Sequence, residues 1–160
     1  MKAGPVEAFV FTPDEPGPVL VQMDRLAAVH QGWINFNPGV REEDVPPPQG
    51  AFGTLFSGTI HDVPICTWVP GAAGRKGIER DSVGIQHNAG TKTVAHLATL
   101  DVPVPAGWRR EQDHPRRGLV VRVPPGVSHA EQLSWMLRAG AALSTVPLTG
   151  EWEAQVRPGR

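Results

Sequence analysis

A chain of 160 residues with 40% hydrophobic and 19% charged residues has the size and composition of one globular domain, long enough to bury a core without a disulfide or structural metal. Its formal charge of -1 leaves no cationic surplus for a sequence-independent grip on nucleic acid, and it has no apolar run long enough for a membrane span, so neither partner is expected. The lone cysteine, Cys66, lies among Ile65, Trp68 and Val69 and reads as a small buried hydrophobe; with no leader-like N-terminal segment, the expected location is cytoplasmic.

Residues 6–11 read as a first strand, ended by Thr12 and Pro13. Prolines 16 and 18 can open a helix, since a missing N–H costs nothing in the first turn. Val19, Met23, Leu26, Ala27 and His30 then recur at helical spacing, which predicts an amphipathic helix over 18–31, stopped by Gly32. Residues 33–37 alternate large apolar with polar side chains and predict a half-buried strand. An acidic and proline-rich surface loop follows at 40–49, the first place to look for a lid, and 51–56 suits one or two helical turns. Residues 60–69 read as an edge strand, because Pro64 cannot donate to a central ladder.

Residues 71–80 form a flexible glycine-rich loop, 83–87 a short strand and 91–100 a helix with Val94, Leu97 and Ala98 on its apolar face. The proline-rich stretch 102–110 is expected to be extended and anchored by Trp108, and Gln112 to Arg117 to be a charged turn. Leu119, Val120, Val121, Arg122 and Val123 predict a buried strand closed by Pro124, Pro125 and Gly126. Ser128 stands three residues before Glu131, the capping-box spacing in which each side chain satisfies a backbone N–H of the first turn, so a helix should cover 129–143. Residues 151–157 alternate Trp152, Ala154 and Val156 with polar neighbours and predict a terminal strand with one wet face. The expected fold is therefore α+β, one domain over 1–160, with helices packed on one face of a largely antiparallel sheet and a split β-α-β order in the second half.

Chemistry is less legible than architecture. The strand-to-helix junction Gln86, His87, Asn88, Ala89, Gly90, Thr91, Lys92 can present backbone N–H groups to an anion, although it lacks the glycine spacing of a phosphate loop and the plainer reading is that Asn88 or Thr91 caps the helix. The second cluster is Asp113, His114, Arg116 and Arg117, where a carboxylate can orient an imidazole and two guanidiniums can clamp an anion. Its plainer reading is a charged turn, since chain neighbours in an extended segment point to opposite sides. His61, Asp62 and Cys66 offer metal-ligand types without paired spacing, so neither metal nor cofactor is expected, and no glycine-flanked serine elbow appears. His30, His96 and His129 are assigned to packing or solvent. Among five tryptophans, Trp108, followed by Arg109 and Arg110, is the one expected at the surface, where indole beside guanidinium suits binding.

Three function classes follow. Scattered titratable groups favour a non-enzymatic binding or regulatory module for a protein partner or a small anionic ligand. The second class is a small enzyme on a phosphorylated or carboxylated substrate, using His87, His114 and Asp113 in proton transfer with Lys92, Arg116 or Arg117 as the clamp. It requires the two histidines and an arginine to converge in one pocket. The third is an oligomeric assembly protein, a possible homodimer extending its sheet through the strands near 60–69 and 151–157.

Overall fold

The strands, in chain order, are β1 (Glu7–Phe11), β2 (Trp33–Pro38), β3 (Ile65–Val69), β4 (Ala73–Gly74), β5 (Gly77–Ile78), β6 (Ser82–Gln86), β7 (Arg109–His114), β8 (Gly118–Arg122) and β9 (Trp152–Arg157). The helices are α1 (Gly17–Val29), α2 (Thr93–Thr99) and α3 (His129–Ala142). These elements come from a computed structural model that describes residues 6–45 and 62–159. Seven strands form one antiparallel sheet in the order β1-β9-β2-β3-β6-β8-β7, while β4 and β5 make a separate small hairpin.

Alternation along each strand sets the two faces of this sheet. Ile34 lies opposite both Trp68 and Val156, Phe36 opposite both Cys66 and Ala154, and Val83 opposite both Trp68 and Val121. All of these residues are buried, so one parity of five adjacent strands makes a continuous apolar face. Fully burying a side chain of this size stabilises the fold by about 1.5–3 kcal/mol. The other parity carries Asn35, Thr67, Gly84 and Gln155, a polar and small face.

The parallel relations come from insertion. Strands β1 and β2 both run antiparallel to β9, which lies between them, and β6 and β7 both run antiparallel to β8. Each of α1 and α2 therefore joins two parallel strands across an inserted antiparallel one, a split β-α-β unit in each half. Helix α3 links β8 to β9 and packs on β3, β6 and α1. Gly140 permits its close approach, since a Cβ there would stand 2.6 Å from the Cys66 Sγ. At the start of the helix both halves of the capping box form, with Glu131 N–H donating to Ser128 Oγ at 3.1 Å and Ser128 N–H to Glu131 Oε2 at 3.0 Å.

Several expectations need correction. Strands β3 and β9 are interior and the sheet edges are β1 and β7, so the sheet cannot extend through 60–69 or 151–157. Pro64 precedes the first ladder residue, Ile65, and its missing N–H costs no ladder bond. The extended stretch and charged turn around 102–117 contain a whole strand, β7. Its charged residues hide the alternation, and a register shift between Arg110 and Gln112 breaks it further. The turn proper is only 115–117, closed by Gly118 at φ 82°, where a Cβ would stand 2.3 Å from the Ile85 carbonyl. The glycine-rich loop at 71–80 contains the β4–β5 hairpin. Residues 42–44 form a short 3-10 turn, whereas the rest of the proline run and the helical turns expected at 51–56 lie outside the described residues. Among the described residues no helix is long and apolar enough to cross a membrane.

Candidate functional site

The first sequence cluster is bonded to the protein itself. His87 is 3% exposed, accepts the Ala89 N–H on Nδ1 at 3.0 Å and holds Thr93 Oγ1 with Nε2 at 3.0 Å. With Nδ1 accepting, the proton belongs on Nε2, which donates to the threonine. The Asp113 carboxylate accepts the N–H groups of Thr93 and Val94, both at 3.1 Å. So the cap of α2 is supplied by β7, not by Asn88 or Thr91, and the anion at this helix start is the protein's own. Partial burial pushes the Asp113 carboxyl up, but the bonds from Val94 and Thr93, with His87 nearby, outweigh it and hold it below its usual value. Asn88 bonds the Asp62 carboxylate at 2.8 Å, and Lys92 is the left-handed residue that starts α2, at φ 57°.

His114 is separated from this network. Asp113 lies opposite the buried Leu119 and His114 opposite Gly118, so the two neighbours project to opposite faces. His114 Nδ1 accepts the N–H groups of Arg116 and Arg117, at 3.1 and 3.3 Å, and thereby closes the β7–β8 turn. The guanidiniums of Arg116 and Arg117 make no ion pair among the described residues. His87 and His114 thus do not share a pocket. Cys66 is buried on the core side, where burial pushes its thiol up to about 12, which suits neither a nucleophile nor a metal ligand. Asp62 is tied to Asn88 and Thr145, and His61 lies outside the described residues.

Sequence reasoning missed a polar network at the start of α3. His129 Nδ1 donates to Asp24 Oδ1 of α1 at 2.6 Å, and its Nε2 stands 3.7 Å from Asp81 Oδ2. Gln132, 2% exposed, accepts the Trp68 indole N–H at 2.8 Å and donates to Asp81 Oδ2 at 3.0 Å. Asp81 Oδ1 also accepts the Gly71 N–H at 2.8 Å, and the Trp68 ring meets His129 edge-on at 5.3 Å. The Asp81 carboxylate, then Asp24, raises the His129 pKa against the opposing effect of burial. Asp81 dominates at the longer distance because it is 23% exposed, whereas Asp24 is 73% exposed and screened by water. Burial raises Asp81 itself, but His129, the Gly71 N–H and Gln132 outweigh it and set its carboxyl low. This network clasps α1, α3 and the chain before β6 together.

The open concave surface lies on the other side of α3. A cavity of about 460 Å3 is lined by Leu133, Leu137, Leu148 and Trp152, with Asp14 and Arg138 as its charged groups. A second, of about 570 Å3, is lined by Pro105, Trp108, Val127 and Trp135. Both share Ala130, Ser134 and Arg138, so they adjoin along the helix. Helical spacing of four residues puts these three side chains in one row. Arg138 is exposed and has no ion pair among the described residues, while the carboxylate of Glu131, which lines the same groove, is committed to the capping box. Trp108 is half-buried, its ring edge-on to Trp135 at 5.2 Å, and the Trp135 indole donates to the Pro103 carbonyl at 2.9 Å. The more exposed indole is Trp33, at 40%, on the polar face of β2, a correction to the expectation placed on Trp108. The row at 130, 134 and 138 was legible as the polar side of an amphipathic helix; the walls opposite it come from distant segments.

No family model, curated protein or solved structure matches the chain.

Proposed function

We propose that the protein is a non-enzymatic binding module, located in the cytoplasm, for a small monoanionic ligand with an apolar body. The observation that carries this reading is Arg138, an exposed guanidinium without an ion pair among the described residues, set where two apolar grooves meet. An arginine fork takes a carboxylate with two parallel bonds, and an apolar groove with few polar groups is the usual form of a small-molecule site. The ligand body lies along Trp108, Pro105 and Val127, and its carboxylate faces Arg138. Asp14 across the first groove disfavours a second negative charge. The divergence of His87 and His114 supports a binding role over acid-base catalysis, and the buried thiol of Cys66 adds no nucleophile.

Titration with decanoate and indole-3-acetate, followed by tryptophan fluorescence and calorimetry, tests the reading. At least one carboxylate should bind saturably and its uncharged alcohol should bind more weakly. Arg138→Ala should cost about tenfold or more in affinity, corresponding to the roughly 1.5–3 kcal/mol of a charge-assisted bond, while leaving the fold intact. Absence of saturable binding by both, or full affinity in the variant, would sink the proposal.

A further inference from the structure

A charged hollow lies at the edge of the sheet, away from the α3 groove. Arg109 of β7 stands directly opposite Arg122 of β8, on the face opposite the core. Like charges placed this way repel. Arg80 also lines this hollow, of about 340 Å3, whose other walls are Glu79 and Glu111. Among the described residues only Arg122 is neutralised by contact: its Nε donates to Glu111 Oε1 at 2.9 Å and its Nη1 to the Arg80 carbonyl at 3.2 Å. Those two bonds fix the plane of the Arg122 guanidinium and leave its Nη2 without a partner among the described residues. Arg80, Arg109 and Glu79 make no ion pair among the described residues. Three arginines therefore line the hollow beside two glutamates, an excess of one positive charge on a chain of formal charge -1.

Charge on an edge strand guards against sheet-to-sheet pairing, and β7 is such a strand. A guard does not need two arginines face to face with a third behind them, because interspersed signs would serve without the repulsion. Concentrated guanidiniums in a concave site match the tetrahedral oxygens of a phosphate, which accept paired N–H donors. We propose that this hollow binds a phosphate dianion, either free or as the phosphoryl group of a small molecule, through Arg80 and Arg109, with Arg122 held in position by Glu111. The site is independent of the carboxylate groove.

Calorimetric titration with inorganic phosphate and phenyl phosphate tests it at about 0.15 M salt, where attraction between distant exposed charges is screened. Saturable binding of phosphate, weakened tenfold or more in Arg109→Ala and Arg80→Ala but unchanged in Arg116→Ala, is the expected result. Phenyl phosphate bound as well as phosphate identifies a phosphorylated small molecule as the natural class; phosphate bound alone identifies the free anion. Lack of saturation by either compound overturns the proposal, as does an equal loss in Arg116→Ala, which would reveal unspecific attraction. All three positions are exposed, and circular dichroism of each variant separates lost binding from lost fold.

Discussion

The two sides of helix α3 carry similar polar residues with opposite fates. On the side facing α1 and the sheet, His129 and Gln132 bond to Asp24, Asp81 and Trp68, so their polar groups are used to join segments. On the outer side, Ser134 and Arg138 line grooves and bond to nothing among the described residues. Polarity alone does not mark a site, because a bonded polar group stabilises the fold whereas an unpaired one above an apolar hollow is available to a ligand. The His87–Thr93–Asp113 network belongs with the first kind.

Substitutions should separate the two sides by magnitude. The largest effect is expected from Gln132→Leu, which leaves the fully buried Trp68 indole N–H without its acceptor and removes a donor from Asp81. Orphaned buried polar groups predict a loss of about 3 kcal/mol in urea unfolding, and a neutral result would show that the bonded side of α3 does not stabilise the fold. Next is Asp113→Ala, which frees two N–H groups of α2. A loss of about 1–2 kcal/mol should appear, together with faster hydrogen exchange confined to α2. Exchange unchanged there would mean that Asp113 does not cap the helix.

The pH dependence of the clasp is smaller but has a definite sign. The His129 pKa is raised in the folded state, so its contribution is whole below the ordinary 6.5 and is lost as pH rises through the folded value. The Asp81 pKa is lowered, so its contribution is whole above the ordinary 3.8 and is lost as pH falls through the folded value. As pH rises from the ordinary 6.5 through the raised folded value, the native protein should lose stability that His129→Gln does not lose. Parallel profiles for the two proteins would remove the ionic part of the clasp. The smallest effect belongs to Arg138→Ala, whose stability should stay within about 0.5 kcal/mol of the native protein, as for an exposed residue bonded to nothing.

Much of the local structure was legible in the residues themselves. The helical recurrence from Val19 to Leu26 and the Ser128–Glu131 box located α1 and α3, while alternation located β2 and β9, and short runs bounded by turn residues located β1, β6 and β8, to within a residue or two. Periodicity and capping join residues a few positions apart, so a sequence can display them. Strand β7 was hidden because an edge strand rich in charge carries no apolar alternation and exists through its pairing with β8. The cap of α2 reaches across 20 positions from Asp113, and the clasp joins His129 to Asp24 across 105. The two grooves likewise need walls from around 13–16, 105–108 and 148–152 beside α3. What the sequence determined by itself is most of the elements and the buried faces of the two long helices and the alternating strands, since these follow from short-range spacing. Strand order, the polar residues consumed internally and those left open to a ligand were decided only by tertiary structure, because each depends on partners that chain position does not reveal.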